Sequence, residues 1–510
     1  MLTVSLLVEI IRTRPRLVFW LATLIQAALW TLVPSFFYTA PPGNVAEVLA
    51  IGHQFKLGTD LGPPLAYWLA EIVFRAARGH LAGIYLLSQI CVIVTYWAVF
   101  RLGSAIVGER HAALAVMLMT GISALTVPTP DFGPAVLAMP FWALTLLFYW
   151  RAVGQNRPPY WFGVALCLGL LLLTTYVGLV LLVLLALFTA LMPAGRASMN
   201  RIEPWIAATI LVMMLFPHLI WIDEAPDFNA FRSVIAGNAE KTLGLWPQLL
   251  GAIVAAHIGL FIIAALASNF FRPTQGTAPA IERIPVSPFA RRYVYVFAIV
   301  PVLVVVLLSS LTGMTTPAMI SPLVVLSGLA AIVAAGDTIR LHHQHLASLA
   351  WVALLITPPT LTAAAVVFLP WTIGVDLKIG QPADEIGRFF TDSFERRTGK
   401  PFTIVGGDPY LASLVALASS RRPSVYRETG VRRTAWVGRD VLTSQGAVLV
   451  WPANDMQGTP PPEIREKFPD LVPEIPRAFE RRVQGRLPLL RIGWGVVRPQ
   501  EQPAATGSAP

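Results

Sequence analysis

Apolar runs of about 20 residues, the length needed to cross a bilayer, recur along this chain from residue 17 to about residue 370 and then stop. The pattern predicts about 11 spans, at roughly 17–38, 81–100, 112–127, 133–150, 160–175, 177–192, 205–222, 247–269, 293–310, 317–335 and 346–370. The stretch from Tyr160 to Met192 is long enough for one helix. However, Arg151 and Arg157 before it and Arg196 and Arg201 after it all favour the cytoplasmic side, so a hairpin is expected there. Beyond about residue 372 the period changes. "ADEIGRFFTDSFERR" is helical, "FTIVGG" strand-like, "DPYLASLVALASS" a helix opening on Asp408-Pro409, and "GAVLVWP" a further strand. The expected fold is mainly α: a polytopic transmembrane helix bundle over 1–372, a small α/β domain over 373–497, and a disordered tail over 498–510.

Only 13% of the 510 residues are charged and 55% are hydrophobic, against roughly 25% charged in soluble domains. The formal charge of +10 does not indicate nucleic acid, because the arginines flank apolar runs or lie in the tail without an aromatic-basic recognition motif. Membrane lipids or a lipid-linked anion are the expected partners, and the tail arginines are expected to be solvated. Cys91 and Cys167 both sit inside apolar runs, which argues against a disulfide framework or a metal site. Arg12, Arg14 and Arg16 precede an apolar stretch longer than a signal core of about 7 to 15 residues, so an uncleaved anchor with a cytoplasmic N-terminus is expected. The segment after the first span and the C-terminal domain then lie outside. His257, inside a span, is expected to be a satisfied bundle residue, and the "HHQH" cluster from His342 falls on the inner side.

The first outer loop, residues 40–80, is too polar to cross a membrane, yet it is patterned. Val45, Val48, Leu49 and Gly52 recur at helical spacing, as do Leu65, Leu69, Ile72, Val73 and Ala76, which predicts two amphipathic interfacial helices. Pro63-Pro64 separates them and starts the second, on which Glu71 and Arg75 pair at i, i+4. Asn44 with Glu47 after Pro-Pro-Gly is also the pattern of a helix N-cap with a capping-box acid, and Asp131 ahead of a span can be another N-cap.

In this loop the sequence resembles the polyprenyl-phosphate-sugar-dependent C-type membrane glycosyltransferases. It resembles especially bacterial relatives of the protein mannosyltransferases (glycosyltransferase family 39) and of the lipid A aminoarabinose transferase. Gly58, Pro63, Pro64, Leu65, Tyr67 and Trp68 match the family's loop motif, and Asn44 falls where the family has its catalytic aspartate. Gly62 stands where a lysine or histidine often precedes Pro-Pro. "TPDFGPAVLAMPFWALTLLFYWRAV" resembles the second-loop motif, so Asp131 matches the second acidic residue. "GLLLLTTYVGL", with Thr175 at a frequent lysine position, "FPHLIWIDEAPDF", and the tail segment "RRTGKPFTIVGGDPYLASLVALASSRRPSVY" also look like family landmarks.

The resemblance implies transfer of a sugar from a polyprenyl-phosphate donor to a lipid, glycan or protein acceptor at the periplasmic face of the bacterial inner membrane. Such a displacement needs a carboxylate to take the acceptor's proton and groups to hold the departing phosphate. Asn44 has no basicity to offer. Glu47, one turn later, and Asp131 are the candidate acids. His53, Lys56, Arg232 and Lys241 are the outer-side cations for the donor phosphate, with Pro63, Pro64 and Tyr67 framing the donor. A divalent metal is an alternative source of positive charge, although no ligand cluster is apparent. Two other functions compete: a degenerate member that binds lipid-linked sugar or a partner enzyme, and a lipid or glycan transporter. The transporter reading is disfavoured because charges concentrate in loops and no internal repeat is visible.

Overall fold

The computed structural model describes residues 9–59, 61–224, 245–267, 280–283, 285–312, 319–340, 344–427, 439–453, 455–469 and 471–499. Arg232, Lys241, Asp60, His342, His343 and the end of the tail lie outside these residues. The chain divides into two compact units. The first is Met1–Ser35, Ala82–Trp221 and Asn229–Thr362, and the second is Phe36–Leu81, Ile222–Phe228 and Ala363–Pro510.

Each of the 11 expected apolar stretches contains helix, but the helices differ in reach. Among the described residues six are long and apolar enough to cross a membrane: Pro15–Phe37, Ala82–Val107, Pro134–Gly154, Glu203–Asp223, Pro288–Ser310 and Gln344–Thr372. Two bent pairs bring the number to eight if each is one span: Gly178–Leu191 with Pro193–Met199, turned by 96°, and Trp246–Ala256 with Ile258–Ala267, turned by 44°. The helices Glu109–Met119 and Tyr160–Leu172, and the broken segment Ile320–Ala334, fall short of the roughly 20 residues that a single crossing requires. The chain is a multi-pass membrane protein.

The segment from Tyr160 to Met192 is not one helix. It breaks between Leu172 and Gly178, and its two ends meet at one residue. The Tyr149 ring lies 5.7 Å from Trp161 near the start of the first helix and 6.3 Å from Phe188 near the end of the second. Its hydroxyl is also 2.8 Å from Thr189 Oγ1. Two helices whose outer ends flank the same side chain form a hairpin, as the flanking arginines require. His257 is satisfied as expected: Nδ1 donates to Ile253 O at 2.7 Å, which leaves Nε2 to accept from Ser327 Oγ at 2.8 Å.

The second unit joins the loop after the first long helix to the C-terminal region. Its sheet has strands β1 (Ile404–Gly407), β2 (Ser424–Tyr426), β3 (Ala447–Pro452), β4 (Val472–Phe479) and β5 (Leu490–Val497), in the order β2-β1-β3-β5-β4. β1 is parallel to both β2 and β3, whereas β5 is antiparallel to β3 and β4. Helices α1 (Ala383–Thr398) and α2 (Pro409–Ala418) build a core of Phe390, Phe394, Leu411, Leu414, Val405, Val448 and Trp494. Asp408 caps α2 as its sequence predicts, accepting from the backbone N–H groups of Tyr410 and Leu411.

Ala40 and Ala50 of the first loop belong to the same core. The loop helix Gly43–Gly52 is buried along Val45, Ala46, Val48, Leu49, Ala50, Ile51 and Gly52, on nearly every side. It therefore does not lay one apolar face on lipid, as its spacing suggested, because the tail helix α2 supplies the apolar partner. The second loop helix, Leu65–Ala76, buries Ala66, Tyr67, Ala70 and Glu71 and leaves Ile72 exposed. The two loop helices approach so closely at Gly52 that a Cβ there would lie 2.4 Å from Tyr67 O. The tail arginines are not all solvated either. Arg481 is buried and grips both carboxylate oxygens of Asp376 at 3.1 and 2.8 Å.

Candidate active site

The helix carrying Asn44 begins at Gly43 with Pro42 as its N-cap, and no side chain caps it. Asn44 is therefore the second residue of the helix, and the capping-box role of Asn44 and Glu47 is not realised. Both side chains are half-buried. They stand three residues apart, hence on one face. Glu47 forms an ion pair with Arg427 from beyond β2, with the Glu47 side chain 28% exposed and the Arg427 side chain 11% exposed.

Glu71 is another acid of this loop, and its surroundings differ. Arg75 Nε donates to Glu71 Oε1 at 2.7 Å, the i, i+4 pair legible in the sequence. From the tail, Arg422 Nη2 donates to Glu71 Oε2 and to Leu49 O, both at 2.8 Å, and its guanidinium covers Phe74 at 5.2 Å. The Glu71 side chain is only 4% exposed. Arg422 holds a left-handed backbone, φ +51°, a conformation of limited favour for a bulky residue that its anchored side chain maintains. Burial draws the Arg422 guanidinium below its ordinary value, and Glu71 opposes that shift.

His53 ends the first loop helix, half-buried, with Nδ1 donating to Ala50 O at 2.9 Å. Burial first, and then the Arg422 charge, lower its imidazole from the usual value, so it is neutral at neutral pH rather than a cation. Lys56 is exposed, and its carbonyl accepts from Trp68 Nε1 at 2.8 Å. Pro63, Pro64 and Tyr67 are buried at the start of the second helix. Gly62 has φ +148° and pairs with Thr59 through both backbone bonds, at 3.1 and 3.2 Å. A lysine in its place would meet a backbone that L side chains avoid.

Asp131 lies in the first unit, half-buried, on the turn before the helix Pro134–Tyr149. That helix is capped by Gly133 without any side chain, so Asp131 is not its N-cap. Three helices hold the preceding turn in place. Gln26 Nε2 donates to Leu125 O at 3.2 Å, Gln89 Nε2 donates to Thr129 Oγ1 at 3.0 Å, and Ser321 Oγ donates to Ala124 O at 2.8 Å. Phe132, fully buried, anchors the far side. Such tethers hold the turn that bears Asp131 in a defined position. Among the described residues no three His, Cys, Asp or Glu side chains gather as a metal site.

Sequence reasoning missed Arg422 and Arg427 because they lie 351 and 380 residues beyond the acids that they hold. The available signal was the tail's "SSRRPSVYRE", whose arginines stand beside a strand rather than on an open helix face.

The long helices, the loop bearing Asn44 and Glu47 and the α/β layer make up a fold that is similar to solved structures. ArnT from Cupriavidus metallidurans bound to undecaprenyl phosphate aligns with 94% of this chain and 99% of its own length, with a TM-score of 0.59 and 12% identity. The same protein in the apo state aligns with 94% of this chain and 98% of its own, with a TM-score of 0.55 and 12% identity. In sequence, residues 62–221 match the dolichyl-phosphate-mannose-protein mannosyltransferase family. Comparison with curated proteins by sequence gives no significant match.

Proposed function

We propose that this chain transfers a sugar from a polyprenyl-phosphate-linked donor to a lipid, glycan or protein acceptor. The reaction is placed at the periplasmic face of the bacterial inner membrane, with the N-terminus cytoplasmic and the C-terminal region periplasmic. The observation that carries this reading is the pair Asn44 and Glu47. The helix has Pro42 as its N-cap, and the Glu47 side chain, 28% exposed, stands one turn from the position of the family's catalytic aspartate. The fold shared with an undecaprenyl-phosphate-binding ArnT, and the mannosyltransferase family match, support the donor class.

In this mechanism Glu47 takes the acceptor hydroxyl's proton. The hydroxyl oxygen forms a bond to the anomeric carbon as the bond from that carbon to the phosphate oxygen breaks, its electron pair leaving with the phosphate. The result is one inverting displacement, with glycosylated acceptor, polyprenyl phosphate and protonated Glu47 as products. Asp131 is the alternative carboxylate.

The test is transfer from radiolabelled undecaprenyl-phosphate sugars in reconstituted vesicles. Glu47→Gln is expected to lower turnover by about 100-fold or more, and Asp131→Asn by much less. The reverse order would assign the proton to Asp131. A second reading, that of a binding member without turnover, draws on Asn44 and on the ion pair that occupies Glu47. It requires wild type to be silent and Asn44→Asp alone to gain activity.

A further inference from the structure

The turn that joins β4 to β5, residues 480–489, holds three arginines and one acid, Glu480. One of the arginines is spent inside it. Arg481 is buried and donates to both oxygens of Asp376, at 3.1 and 2.8 Å, and to Pro488 O at 2.7 Å. Gln484 braces the turn from within, its Oε1 accepting from Arg481 N at 3.0 Å and its Nε2 donating to Leu487 O at 2.7 Å. On this braced frame Arg482 and Arg486 are exposed.

The turn is fastened to the end of a long apolar helix. Arg486 N donates to Pro370 O at 2.8 Å, and its Nη1 reaches Thr372 O at 3.5 Å. Gly485, at φ +54°, comes so near that a Cβ there would stand 2.4 Å from Pro370 O. The helix Gln344–Thr372 has 29 residues, about 44 Å at 1.5 Å each, against a hydrocarbon core of about 30 Å. At least one of its ends must therefore stand among lipid headgroups. Trp371, 58% exposed between exposed Phe368 and Ile373, marks this end as interfacial. Phe37, the last residue of helix Pro15–Phe37, meets Val366, Pro370, Arg482 and Leu487 around one small recess at the same place. Arg482 and Arg486 are thus held at the level where apolar surface gives way to water.

We propose that Arg482 and Arg486 bind the headgroup phosphates of anionic phospholipids and so fasten the β4 edge of the sheet to the membrane surface. The charges are complementary, and a guanidinium matches phosphate oxygens in a planar two-point geometry. Asp376 does not neutralise the two exposed arginines, because Arg481 already holds both of its oxygens. The braced turn places the arginines before any lipid arrives, which lowers the ordering cost of binding. Exposed Phe368, Trp371 and Ile373 beside the turn give the lipid's acyl chains a surface that a soluble anion would not use. This contact is separate from the proposed sugar transfer and holds whether or not the chain is a transferase.

The experiment places a donor fluorophore on the full chain through Leu489→Cys, an exposed position of the turn, and reconstitutes it in phosphatidylcholine vesicles. Cys91 and Cys167 are buried and shielded from the label. Energy transfer to trace acyl-labelled phosphatidylglycerol is compared with transfer to acyl-labelled phosphatidylcholine. Phosphatidylglycerol should be enriched about fivefold or more around the native turn, and Arg482→Gln/Arg486→Gln should bring the two lipids to parity. Arg388→Gln/Arg396→Gln removes the same charge from exposed positions of α1 and should leave the enrichment in place. Parity at the native turn overturns the proposal, and that result needs no arginine variant to fold. An equal loss in the α1 variant also overturns it, in favour of net charge. Enrichment abolished by inorganic phosphate, but not by chloride at the same ionic strength, overturns it in favour of a soluble anion.

Discussion

Glu71 is the residue whose loss this unit should tolerate least. Glu71→Gln removes a buried carboxylate from between two arginines and leaves Arg422, four-fifths buried, without a counter-charge. Breaking one side of a buried pair costs about 3 kcal/mol, so the melting temperature of the detergent-purified chain should drop clearly. Glu47→Gln likewise leaves Arg427, about nine-tenths buried, without its counter-charge and should also lower the melting temperature. His53 gives a pH dependence with a definite sign. Its folded-state value lies below the ordinary one of about 6.5, so its contribution is complete above that pH and declines as the pH falls through the lower folded value. Thermal stability should therefore decrease below about pH 6.5 more steeply in wild type than in His53→Gln, and parallel curves would remove His53 as the cause. At this scale the Glu71–Arg75 pair was legible from its spacing alone. The burial of Glu71 was not, because it depends on Arg422, which only the folded chain brings near.

Among the elements, local signals were followed where nothing remote competed with them. Asp408-Pro409 starts a helix because its cap and its fixed proline act within four residues. The hairpin after Tyr160 follows from charges at its two ends. Asn44 reads equally well as a cap, yet the helix begins one residue earlier, behind Pro42, so the cap signal gave the helix and not the role. The first loop helix shows the larger departure. Val45, Val48 and Leu49 suggested one apolar stripe, but Ala46, Ala50 and Gly52 are small enough for other helices to close on its remaining sides. Helical period reports where a hydrophobic face lies and is silent on what covers it. The span count draws on hydropathy, which marks apolar stretches but not the breaks that shorten the helices within them.

Across the whole molecule, the second unit is assembled from segments near residue 40 and beyond residue 363. Thr39 and Ala40 donate to Ile379 O at 2.9 and 3.0 Å, and Tyr410 OH donates to Pro41 O and Lys378 O at 3.3 and 3.1 Å. The loop that carries Asn44 and Glu47 is therefore held at its entry and along its length by the tail. A chain ending after Thr372 should still insert in membranes, but residues 41–80 should be cut rapidly in limited proteolysis, whereas the full chain protects them. Equal protection in both would mean that the loop folds without the tail.

The 380-residue separation between Glu47 and Arg427 also sets a schedule for biosynthesis. At about 5–20 residues per second, the ribosome adds the arginine roughly 20–80 s after the acid. Throughout that interval the nascent chain carries an apolar helix that only its neighbour Leu65–Ala76 can cover, and a carboxylate without Arg427. The first extramembrane loop to be translated is thus among the last parts to mature. A chain cut short by a stalled ribosome never brings Arg427 to Glu47 or Arg422 to Glu71.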